Sequence, residues 1–97
     1  MGRRVSELVS VGTSATKVLS TNYAKLKKVW AYNSSDSDIT FYFCDSGGSQ
    51  KTPTIKVLAR QMLLIDEYEL PEYLFETDIY AIASATGLQL MIEVEES

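Results

Sequence analysis

The stretch Gly87-Leu88-Gln89-Leu90-Met91-Ile92-Glu93-Val94-Glu95 decides the class of fold. Leu88, Leu90, Ile92 and Val94 fall on one side of an extended chain, and Gln89, Glu93 and Glu95 fall on the other. A period of two is that of a strand with one buried and one wet face. Just before it, Asp78-Ile79-Tyr80-Ala81-Ile82-Ala83 reads as a second strand. The turn Ser84-Ala85-Thr86-Gly87 between them predicts a closing hairpin, with no tail left for chemistry beyond it.

Working back along the chain, glycine, serine and aspartate clusters cut the sequence into segments too short for an average helix. Strands are predicted over 5–11, 16–20, 27–33, 39–44, 54–58 and 62–66. In the third, Val29 and Ala31 share a face opposite Lys28, Trp30 and Tyr32; in the fourth, Ile39, Phe41 and Phe43 alternate with Thr40, Tyr42 and Cys44. Residues 45–53 hold Gly47, Gly48 and Pro53 and predict an exposed loop. Tyr23 to Lys28 is open to a helical turn. Pro71 bars a regular element over 66–77, leaving either a helical turn from Pro71 or a crossover loop between sheets. About eight strands spaced near ten residues apart predict an all-β fold, a compact antiparallel β-sandwich of jelly-roll or Ig-like type. Its core is expected to draw on Val29, Ala31, Ile39, Phe41, Phe43, Leu64, Ile79, Leu90, Ile92 and Val94.

A chain of 97 residues is expected to form a single domain, 1–97, with residues 1–5 open to an extended arrangement. Cys44 stands alone, so no internal disulfide can form and stability must come from packing or neighbouring subunits. No apolar run is long enough for a membrane helix, and Met-Gly-Arg-Arg at the start is not followed by an apolar signal region. Neither a signal peptide nor a membrane partner is expected. Gly2 with Ser6 matches the short myristoylation pattern, a motif that also arises by chance.

Catalysis is disfavoured by residue type. The sequence has no histidine, which removes the commonest general base and transition-metal ligand. Cys44 therefore has no partner for a nucleophilic dyad. Gly47-Gly48-Ser49 lacks the Gly-Lys-Ser/Thr ending of a phosphate loop. The acidic run Asp66, Glu67, Glu69, Glu72, Glu76 and Asp78 has carboxylates in number, yet its spacing is not that of an EF-hand and no glycine bends it around an ion. No catalytic residue, metal or cofactor is expected. Trp30, Tyr32 and Tyr42 could form a sugar or base platform, or simply pack across strands.

Charge is distributed unevenly. All nine Lys and Arg lie in residues 1–60 beside four acids, whereas residues 61–97 carry nine acids and no base. Strands from the two halves could pair and neutralise this split, or one subunit could present opposite charges to its neighbours. The net charge of −4 argues against nucleic acid as a partner. The candidate interface comprises Arg3, Arg4, Lys27 and Lys28 with Glu67, Tyr68, Glu69, Glu72, Tyr73 and Phe75, the acidic and aromatic loop supplying apolar contact.

In order, Val29-Trp30-Ala31-Tyr32-Asn33, Ser34-Ser35-Asp36-Ser37-Asp38, Ile39-Thr40-Phe41-Tyr42-Phe43, Gly47-Gly48, Asp78-Ile79-Tyr80-Ala81-Ile82-Ala83 and Leu90-Met91-Ile92-Glu93-Val94-Glu95 resemble landmarks of small β-sandwich virion proteins of tailed viruses. The likeness spans about residues 5 to 95. Ala59-Arg60-Gln61 stands where that group often has a Pro-Gly turn. The resemblance implies a non-enzymatic capsid decoration or head-associated protein, located on the capsid surface of the virion. It also implies a symmetric oligomer, most simply a trimer, bound to a major capsid protein or another virion protein. A tail or fibre-base component and a carbohydrate-binding module are the alternatives.

Overall fold

The computed structural model describes residues 2–97 and contains only strands and their connections. β1 (Gly2–Val5), β2 (Val9–Val11), β4 (Ala24–Asn33), β7 (Met62–Asp66), β8 (Leu74–Phe75) and β10 (Leu88–Glu96) form sheet A. β3 (Thr16–Leu19), β5 (Ile39–Cys44), β6 (Ile55–Val57) and β9 (Ile79–Ala83) form sheet B. All pairings are antiparallel.

β1 and β2 lie end to end along one side of β10, and β7 and β8 do the same along β4. Counted as single rows, the strands run 1-8-3-6 in sheet A and 2-7-4-5 in sheet B. First therefore pairs with eighth, second with seventh, third with sixth and fourth with fifth, which is one long hairpin rolled into two sheets. This is the jelly roll, and it decides between the two sandwich types the sequence left open.

That topology corrects the closing hairpin. β9 pairs with β3 and β5 in sheet B, whereas β10 pairs with β1, β2 and β4 in sheet A. Residues 84–87 therefore arch between sheets, with Gly87 at φ 112° and its carbonyl accepting from the Ser34 N–H at 3.0 Å. An arch lets Ile79, Ala81 and Ala83 face Leu88, Leu90, Ile92 and Val94 across the core instead of beside them. Residues 58–61 arch in the same way from β6 to β7. Gln61 donates to the Leu58 carbonyl, and Arg60 occupies the left-handed region at φ 60°.

Inner residues of both sheets make one core. Phe41 and Phe43 meet edge to face at 5.6 Å between ring centres, an arrangement that suits the quadrupoles of the two rings. Of the predicted core residues, only Leu64 departs: it is 53 % exposed, and Ile65 takes the inward place opposite Val29. Met62-Leu63-Leu64-Ile65 is apolar throughout, so the pleat cannot be read from hydrophobicity; pairing with β4 sets it.

β4 starts at Ala24, three residues before the strand expected at Lys27, and no helical turn forms there. Its inward residues are Ala24 and Leu26, then Val29, Ala31 and Asn33. The change of parity is a β-bulge: Glu93 opposes Lys28 while Val94 opposes Leu26, leaving Lys27 extra. The expected strand over 5–11 is also broken. Ser6 is buried in the gap between β1 and β2, where its Oγ accepts from the Ile92 N–H and its own N–H donates to the Ile92 carbonyl.

Candidate interaction surface

The basic and acidic halves of the chain fold onto each other. Arg3 lies 3.6 Å from both Glu67 and Glu93, Arg4 2.9 Å from Glu96, and Lys17 3.3 Å from Asp78. Lys25 approaches Glu72 at 3.7 Å and Lys27 approaches Glu95 at 3.5 Å. Such pairs between largely exposed side chains stabilise little. They do mean that the split along the sequence is not a split between two faces.

The acidic run is drawn apart by its partners. Glu67 turns to Arg3, Glu72 to Lys25 and Asp78 to Lys17, while an Asp66 carboxylate oxygen accepts from the Tyr68 N–H. Among the described residues, no three acidic or thiol groups gather as they would around a metal ion. Tyr68 is 90 % exposed and Glu69 is exposed beside it. Tyr73 packs edge to face on Phe75 at 4.9 Å, and Phe75 is buried in the core, not at the surface where the candidate interface had it.

A polar cleft of about 510 Å³ lies between Gly2, Arg4, Ser20, Thr21, Asp78 and Glu96. Its charges are already committed. Arg4 donates to Glu96 and to the Ser20 carbonyl, the Thr21 hydroxyl donates to Glu96, and the Thr21 N–H donates to Asp78.

The loop over 45–52 folds back on the outer side of sheet B at the end of β5. Cys44 points away from the core by parity yet is fully buried, because Lys51 N–H returns to the Phe43 carbonyl and Gln50 bridges back to Cys44. Burial pushes the Cys44 thiol up, and the adjacent Asp45 carboxylate adds to this. Asp45 holds the loop by accepting from the N–H groups of Gly47 and Ser49, both at 3.0 Å. Chiefly the Ser49 N–H, then those of Gly47 and Gly48 with Lys51 nearby, keep its carboxyl below the usual range despite partial desolvation.

On the outer side of sheet A, Arg3 of β1 joins Glu93 on β10 and Glu67 just past β7, while the apolar rows beside them hold exposed side chains. Strand register places Leu64 beside Trp30 and Trp30 beside Met91 in one row, with Met62, Tyr32 and Gln89 in the next. Met62 is 66 % exposed, and Leu64, Tyr32, Val5 and Leu8 are exposed with it. The row on the other side is charged, Asp66–Lys28–Glu93. The Lys28 ammonium stands 5.7 Å from the centre of the Trp30 ring, a cation–π distance. Trp30 and Tyr32 thus share a face, but Tyr42 is on sheet B and the three aromatics do not form one platform. Sequence reading missed Met62 and Leu64 here; once the inward place of Val29 is known, pairing with β4 finds them.

No family model and no curated protein matches the chain. Among solved structures, it is similar to the coat protein of tobacco streak virus, determined as a dimer at 2.4 Å. The identity is 13 %, the match covers 92 % of this chain and 85 % of that one, and the TM-score is 0.41.

Proposed function

We propose that this chain is a non-enzymatic structural protein of a virus particle, acting as a decoration or cement protein that binds the outer shell and stabilises it. The observation that carries the reading is the uncovered outer face of sheet A, where exposed Met62, Leu64 and Tyr32 surround Trp30. Large apolar side chains grouped on a face and rimmed by charge have the anatomy of a protein-binding surface. The sequence landmarks shared with small virion sandwiches supply the kind of partner, a major capsid protein or another virion protein. A jelly roll by itself does not choose, since capsid proteins, lectins and cupins all use it.

Repetition makes a modest surface effective. On a lattice, linked copies add their contacts through effective concentration, so each contact can be weak. Self-association belongs to the same reading, with a trimer as the order that the resemblance implies.

Co-sedimentation with empty capsids of a tailed virus tests this. Retention on shells, and a higher rupture temperature of decorated shells, are expected. A chain that stays in the supernatant while every kind of shell pellets overturns the reading. Trp30 and Tyr32 side by side on an open face favour one rival, a carbohydrate-binding module. Retention on a polysaccharide column together with indifference to capsids would establish it.

A further inference from the structure

The charges of sheet A's two central strands differ in sign. β4 carries Lys25, Lys27 and Lys28, and its neighbour β10 carries Glu93, Glu95 and Glu96. Consider a two-fold axis parallel to these strands, lying above the face and between them. It lays β4 of one copy over β10 of the other at the same height along the strands. Lys28 then meets Glu93 of the second copy, Lys25 meets Glu95, and Trp30 meets Met91. Leu64 comes over the far edge of the row, beyond β10 of the second copy. Every pairing occurs twice, as an isologous contact requires, and at Glu93 the second copy's Lys28 joins Arg3, which lies 3.6 Å from the same carboxylate.

We infer that the outer face of sheet A binds the same face of a second copy of this chain. The inference does not rest on the virion reading and competes with it for this face: a face closed in a two-fold dimer is not open to a shell, and a dimer is not the trimer that the resemblance implies. Two-layer packing of aligned sheets is the ordinary way to cover such a face. The size is sufficient: four rows spaced about 4.8 Å apart, along a strand of about 30 Å, give a footprint on the order of 600 Å² per copy. That is near the lower end of specific interfaces, about 1,200 Å² in total. Lys28 suits the role because, among the described residues, it is the lysine of β4 without an ion pair within 4 Å.

Sedimentation of the intact chain tests the contact, with the fluorescence of Trp30, the sole tryptophan, as a local reporter. A dimer forming in the micromolar range is expected, with Trp30 emission shifting to the blue as concentration rises. Lys28→Glu and Glu93→Lys should each weaken association by about tenfold or more, since each sets like charges across the axis twice. An equimolar mixture of the two variants should restore it, because both cross-axis contacts then pair opposite charges. Neither variant can recover that way from its own intramolecular neighbours. Should either fail to fold, Leu64→Glu replaces it: an exposed position tolerates the change, and loss of the dimer is expected. A monomer at every concentration, a trimer, association indifferent to Leu64→Glu, or a dimer with constant Trp30 emission overturns the inference. Quenching of a monomer's Trp30 by polysaccharide overturns it too and assigns the face to sugar. A monomeric Leu64→Glu variant that still co-sediments with shells would separate this contact from the proposed function.

Discussion

The outer faces of the two sheets start from similar material and end differently. On sheet B, Tyr42, Tyr80 and Ile82 point outward but remain half-buried, and Cys44 is closed off entirely. The chain's own loop closes off Cys44 and reaches Ile82, where a Cβ placed on Gly48 would lie 3.6 Å from the side chain. On sheet A, Trp30 and Met91 are half-buried in the same way, but Met62 and Leu64 beside them stay exposed. Outward apolar residues therefore differ in meaning according to what the chain lays over them. Covered ones are packing, and uncovered ones are surface for another molecule.

Substitutions can break or sharpen this contrast, and the largest effect lies beneath both faces. Phe41→Ala should cost about 3–5 kcal/mol, because the ring is buried against Phe43 and the site cannot collapse fully. Denaturant unfolding measures it, and a cost below about 1 kcal/mol would contradict the packed core.

Asn33, at 0 % exposure, comes next. Its amide nitrogen donates to the carbonyls of Ser37 and Val57, while its oxygen accepts from the N–H and hydroxyl of Ser35. It ties the end of β4 in sheet A to β6 and to the arch that carries the chain into sheet B. Asn33→Ala leaves buried groups unpaired and should cost about 1–3 kcal/mol in the same measurement. A neutral result would mean that the arch holds without it.

The cover of sheet B should respond to acid. Asp45 has a depressed folded pKa, so its contribution is present above the ordinary carboxylate range and is lost as pH falls through the lowered value. Labelling of Cys44 by a pyridyl disulfide, which reacts in acid as well as at neutral pH, should be slow at neutral pH and speed up on strong acidification. Asp45→Ala should label quickly at neutral pH. Rates that ignore both changes would show that the loop is held by something else.

The smallest effect sharpens the contrast most. Measured at a concentration where the chain is a monomer, Leu64→Glu should alter unfolding free energy by no more than about 0.5 kcal/mol, as an exposed position allows. A loss of several kcal/mol would place Leu64 in the packing, and sheet A would then resemble sheet B.

Where the sequence alternates, the fold was legible. Strands β5 and β10 were read from apolar residues two apart, and their inward sets are those observed; β9 was read as a strand with Ile79 assigned to the core, where it lies. Legibility failed where alternation was interrupted or saturated. Lys27 is one residue too many for a regular ladder, so the beginning of β4 looked like a different element. β8 is two residues long and follows Pro71, too little to register as a strand. Sheet membership was hidden as well, because a turn that arches between sheets and one that closes a hairpin draw on the same residues. The candidate interface rested on charges far apart in sequence; folding pairs Arg3 with Glu67, gives Arg4, Lys27 and Glu72 partners outside the candidate set, and leaves Lys28 and Glu69 without an ion pair among the described residues. Trp30 and Tyr32 were visible as a pair; their exposed neighbours Met62 and Leu64 needed the strand register.

The edge arm β1 has a dynamic consequence. Its four residues are all exposed, and its main chain pairs only with Glu93–Glu96 of β10. Opening it uncovers hardly any apolar surface, so amide protons there should exchange with solvent through local fraying while those of β4 and β10 wait for global unfolding. Ser6 marks the boundary, since its paired bonds to Ile92 anchor the chain where burial begins. β1 would then be the first strand to fray from the sandwich, and each opening would bare the edge of β10 over Glu93–Glu96 while β2 keeps the rest paired.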